Sequence, residues 1–60
     1  MTTVEIYKKG EKSIKIIRMV KEQTKRVFFY PETEDGRRLT KTLFARKYDA
    51  INLAKYYLSK

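Results

Sequence analysis

Acid–base chemistry in this chain would have to come from its seven carboxylates, and three of them stand close together: Glu32, Glu34 and Asp35. A general acid/base pair needs two environments that push the two pKa values apart, with a pocket between them. Glu34 and Asp35 are adjacent in one polar loop, so the group reads as a solvated turn. Cysteine and histidine are both absent. Their absence excludes disulfides, thiolate metal sites, the usual zinc sets and the histidine-based triads. Gly10 and Gly36 are the chain's two glycines and make no phosphate-cradling loop. A cavity on the order of a few hundred Å³ would also consume much of the core that so short a chain can bury. No catalytic residue, metal or cofactor is expected.

The cations point elsewhere. Fifteen Lys and Arg against seven Asp and Glu leave a formal charge of +8 on 60 residues. Such an excess attracts polyanions at long range and releases counterions when phosphates are bound. Residues 1–47 hold thirteen basic and six acidic side chains, whereas residues 48–60 hold two and one. The charge therefore belongs to the first three-quarters of the chain. The expected partner is nucleic acid; the plainer reading is that the lysines only solubilise the surface.

The elements that must carry these charges can be read from periodicity. Thr3–Tyr7 alternates as a strand and stops at the polar turn Lys8–Lys12, with glycine at its centre. Ser13–Val20 is rich in β-branched residues, but Ile14 and Ile16 have one parity and Ile17 and Met19 the other. Either this strand is bulged near Ile16–Ile17 or both its faces are partly buried. Glu22–Lys25 is a tight turn into a third strand, Arg26–Tyr30, which Pro31 closes because it cannot donate to a ladder. Asp35-Gly36 is a hairpin signal, and Arg37–Phe44 reads as a fourth strand. From Lys47 the period changes to 3.6: Ala50, Ile51, Ala54, Tyr57 and Leu58 share a stripe with Leu53 beside it. Asp49 and Lys60 suit the two ends of that helix.

The expectation is one α+β domain over residues 1–60. It has a small antiparallel sheet of three to four strands, near 3–8, 13–21, 26–31 and 38–44, on one C-terminal helix near 47–59. One helix covers one face of a sheet, so some of Val27, Phe28, Phe29 and Tyr30 must lie on the other, among Lys15, Arg18, Arg26 and Lys41. Rings among cations on an open sheet suit nucleic acid, with Phe28 and Tyr30 as stacking platforms for single strands. The other reading of each ring is core, or a dimer interface.

Gly36–Ala50, GRRLTKTLFARKYDA, resembles the AP2-like and integrase arm-type DNA-binding domains. The pattern is a glycine turn, a basic strand ending in phenylalanine (Phe44), a short basic link, and a helix with alanine six residues after the phenylalanine (Ala50). Lys47-Tyr48 matches the pair that often precedes the helix in phage members, and Ala54 repeats the small residue one turn on. Asp49 stands where many members have glycine, the first strand is extra to their minimal three, and their tryptophan is missing. The resemblance implies a sheet lying in the major groove of double-stranded DNA. Lys15, Arg18, Arg26, Arg37, Arg38 and Lys41 would then face the duplex, with Arg18 and Arg38 reading guanine.

Two further expectations stand beside this. The runner-up is a small phage- or plasmid-type regulator that binds and inhibits a protein partner; its exposed apolar residues fit, and its first strand could recruit a partner or a second copy edge to edge. The N-terminal residues Met1–Glu5 lack the basic and apolar regions of a secretory signal. No apolar run nears the ~20 residues that cross a bilayer, so a cytoplasmic location and no membrane partner are expected.

Overall fold

The computed structural model describes residues 2–59. Strand β1 (Thr2–Lys9) pairs antiparallel with β2 (Lys12–Lys21), which pairs antiparallel with β3 (Arg26–Thr33), in the order β1-β2-β3. Helix α1 (Lys47–Leu58) follows. The first turn has two residues, Gly10 and Glu11, between the paired Lys9 and Lys12. Gly10 takes φ 62, the positive angle that a II′ hairpin needs at its first loop position. The second turn, residues 22–25, is closed by the Lys25 amide donating to the Lys21 carbonyl at 2.6 Å.

The helix decides which parity of each strand is core. Ile14 and Ile16 of β2 are fully buried in a cluster with Ala50, Ile51, Ala54 and Leu58. Val4 and Tyr7 of β1, Phe29 of β3, and Leu39 and Phe44 pack around it. The two alanines have no accessible surface, so their methyl-sized side chains bring the helix backbone close to the central strand. The helix stripe runs through residues 50, 51, 54 and 58, while Tyr57 lies at its margin, 37% exposed, under the Lys12 ammonium. Arg46 caps the N-terminus in extended conformation without a side-chain bond, and Asp49 sits in the first turn. At the other end the Ser59 hydroxyl donates to the Tyr56 carbonyl at 2.8 Å. The role expected of Lys60 lies outside the described residues.

Of the two readings of β2, burial on both faces is the one that fits; the strand itself is not bulged. The strand runs in continuous register with β3 and is buried on both faces, with Ile17 on the side away from the helix. The bulge lies on β1, where Val4 is the extra residue between Thr3, opposite Ile17, and Glu5, opposite Ile16.

The fourth strand expected near 38–44 does not form. Residues 34–46 are a connector that touches the outer edge of β3 through two isolated bridges, Glu32 with Arg38 and Phe29 with Phe44. Phe29 and Phe44 exchange amide–carbonyl bonds at 2.7 and 2.8 Å, and the Leu39 amide donates to the Pro31 carbonyl at 3.1 Å. Outward-facing backbone groups on β3 therefore belong to residues 29, 31 and 33. Pro31 stands where its missing N–H faces the connector, so the β2–β3 ladder loses nothing. The rung that would join the two bridges has no donor, and the chain bows out over residues 40–43. Pro31 lies inside β3, which continues to Thr33.

Glu5 ties β1 to the helix. The Tyr7 hydroxyl donates to its Oε2 at 2.6 Å, and Lys47 Nζ lies 3.4 Å from its Oε1. The hydrogen bond from Tyr7, helped by Lys47, holds the Glu5 carboxyl below its ordinary 4.5, and the same bond raises the Tyr7 hydroxyl. A depressed carboxyl contributes stability above its unfolded pKa and loses it as pH falls through the folded value. Glu5→Gln is expected to lower the melting temperature at neutral pH, with the gap to wild type closing below 4.5. Ala54→Leu, which forces three extra carbon atoms into the closest helix–sheet approach, is expected to cost about 1–3 kcal/mol in urea denaturation.

Candidate functional site

The face of the sheet away from the helix follows from the register. On β2 it carries Lys15, Ile17, Met19 and Lys21; on β3 it carries Glu32, Tyr30, Phe28 and Arg26 directly opposite them. Ile6 of β1, opposite Lys15, adds an apolar side chain 53% exposed. The face thus has an apolar centre, Ile6, Ile17, Met19, Phe28 and Tyr30, bordered by Lys15, Lys21 and Arg26 and by the carboxylate of Glu32 opposite Lys15.

Cations also lie on top of the rings. The Arg38 guanidinium carbon is 4.4 Å from the Tyr30 ring centroid, and Lys21 Nζ is 5.3 Å from that of Phe28. A cation over a ring face is held by the quadrupole, and a guanidinium stacked flat keeps N–H groups at its edge for other acceptors. Tyr30 is 2% exposed and Ile17 6%, so the centre of this face is nearly closed without help from the helix. Stacking of a base on Tyr30 is therefore blocked, and the single-strand role expected for that ring does not fit the geometry. Phe28 is half-buried beneath Lys21.

Of the residues singled out by sequence, Lys15, Arg26, Phe28, Tyr30 and Arg38 come together on this face. Arg18 does not. It has the parity of Ile14 and Ile16, stands opposite Phe29, and points to the helix side, where it is exposed. Arg37 and Lys41 are exposed on the connector rather than in a strand. Lys21 was missed, although its parity with Lys15 and its place opposite Arg26 follow once the turn at 22–25 sets the register.

Charge is also graded along the long axis of the molecule, which measures 38 × 18 × 18 Å. Arg18, Lys21, Lys25 and Arg26, with Glu22 among them, occupy the end formed by the β2–β3 turn. Glu11, Glu34 and Asp35 line a depression of about 180 Å³ at the opposite end, together with Lys12, Ser13 and Tyr57, and offset the charge of Lys8, Lys9, Lys12 and Arg37 there. Glu34 and Asp35 are exposed there. Among the described residues no three carboxylates come close enough to hold a metal ion, and no helix is long and apolar enough to cross a membrane.

Comparison with protein-family models, with curated proteins and with solved structures finds no match in any of the three. The stretch that resembles AP2-like domains forms the connector and the start of α1, so Phe44 meets β3 by a single bridge.

Arg38 covers Tyr30 in the free protein. Arg38→Ala is expected to lower the urea midpoint by the equivalent of roughly 0.5–1 kcal/mol at unchanged denaturant slope. Arg38→Lys, which keeps the charge but not the planar stack, is expected to fall between the two.

Proposed function

We propose that this chain is a non-enzymatic nucleic-acid-binding module that engages double-stranded DNA through the helix-free face of its sheet. The observation that carries this reading is the placement of Lys15, Lys21, Arg26 and Arg38 on one face, around a centre already sealed by Ile17 and Tyr30. A sealed centre offers no pocket for a flipped base and little ring surface for stacking. A rim of cations can still track phosphates, and such contacts supply most of non-specific duplex binding. The helix adds little charge and its place is structural.

The family likeness belongs to the same proposal. The resemblance implies a sheet lying in the major groove, but the strand it places before Phe44 is a connector here and β1 is extra to its minimal three, so the strand count lends it no support. Placement in the cytoplasm and a regulatory role of phage or plasmid type accompany it as proposals.

A protein partner is the second reading. β1 is an edge strand, and Tyr48 and Tyr56 on the helix are 77% and 59% exposed. Aromatic side chains of this kind dominate protein interfaces.

Salt separates the two. Binding of a short random-sequence duplex, followed by fluorescence anisotropy, is expected to weaken with a log–log salt slope of several units. Single-stranded DNA and RNA of equal length are expected to bind more weakly. A complex that forms with duplex but ignores salt, or no duplex binding at low salt, would remove the nucleic-acid reading and leave the protein partner.

A further inference from the structure

Beyond Phe29 and Arg18 the sheet narrows to two strands. Thr2 pairs with Arg18 at the end of β1, and the connector meets β3 at Phe29. Three rungs remain, Met19 with Phe28, Val20 with Val27 and Lys21 with Arg26, followed by the turn at 22–25. At about 3.4 Å per residue, β2 spans roughly 34 Å along the sheet, whereas the helix covers about 18 Å. The exposure of Arg18 and of Val20, 43%, marks where helix cover has ended. This end of the hairpin is a two-stranded ribbon beyond the helix, exposed at Arg18, Val20, Lys21 and Arg26 and half-buried at Met19, Val27 and Phe28.

Its side chains differ from those of an idle loop. Lys21 and Arg26 stand on one face, Arg18 and the apolar pair Val20–Val27 on the other, and Lys25 in the turn. Two strands about 4.8 Å apart fit a major groove ~12 Å wide and ~8.5 Å deep, and are too broad for a minor groove of ~6 Å. Cations on such a ribbon can meet phosphates and guanine edges, and an exposed valine such as Val20 suits a thymine methyl group.

A separate observation concerns the turn. Three described residues have positive φ; two are Gly10 and Gly36, and the third is Lys25 at 55°. A residue with a Cβ pays a steric cost in this region that glycine does not. Strain kept at an exposed tip by a cationic side chain points to use of that side chain.

We propose that residues 19–28 form a two-stranded ribbon that enters the major groove of duplex DNA, with Lys25 at its leading end. The proposal rests on the duplex-binding reading above and adds the element that enters the duplex, the hairpin end rather than the broad sheet face. The cations of the broad face, Lys15 and Arg38, then hold the flanking phosphates.

Lys25→Gly separates fold from binding. The variant is expected to melt at a higher temperature than wild type, because the strain is relieved, yet to bind duplex more weakly, with the salt slope reduced by about 1. The double variant Lys21→Ala/Arg26→Ala is expected to reduce the slope by about 2. Dimethyl sulfate footprinting on a guanine-containing duplex saturated with wild-type protein is expected to show protection at guanine N7, in the major groove. Protection at adenine N3 instead would overturn the proposal. So would wild-type slopes in both variants with guanine N7 left reactive; if Lys15→Ala and Arg38→Ala still weakened binding, the broad-face reading would stand without the ribbon. Absence of any wild-type duplex binding would overturn both.

Discussion

The approach of Ala50 and Ala54 to Ile14 and Ile16 sorts the sheet into an inside and an outside. Two residues without side-chain bulk let the helix backbone settle onto the central strand, and the isoleucines beneath them lose all contact with water. Once that parity is committed, every other strand residue follows by alternation and register. Tyr7, Glu5 and Phe29 turn toward the helix. Lys15, Ile17, Met19, Lys21, Phe28 and Tyr30 are left to find their own cover.

They find it in the long cationic side chains. A guanidinium over Tyr30 and an ammonium over Phe28 shield apolar surface that a second helix would shield in a larger protein. The same groups thus stabilise the free chain and present charge to a polyanion. These roles are compatible because the ring takes one side of the cation and leaves its edge or far side to solvent. A short chain gains from such sharing, since it lacks the residues for a separate core and a separate binding surface.

The sequence was legible where a single period dominated. Helix α1 fell within a residue of its expected span because residues 50, 51, 54 and 58 repeat at helical spacing with nothing to compete. The three N-terminal strands were equally plain, each bounded by a turn with recognisable chemistry. The face of β2 was ambiguous because Ile16 and Ile17 are adjacent and both buried, and only docking of the helix assigns them. That assignment moved Arg18 away from the other candidate residues and brought Lys21 among them. The supposed fourth strand failed for a local reason with a non-local effect: Pro31 suits the outer edge of β3 but cannot supply the rung a further strand would need. Lys25 gave no sign of its backbone conformation, since a lysine is not where positive φ is looked for.

The meander also governs how the chain assembles. Every strand pairs with its neighbour in sequence, and the two turns that join them span two and four residues. Short loops close at small entropic cost, so both hairpins can zip before any distant contact is made. The helix, by contrast, must search across the thirteen-residue connector before its alanines reach β2. Until the helix docks, Ile14 and Ile16 of the central strand have no cover, so the sheet and the helix must form together for either to be stable.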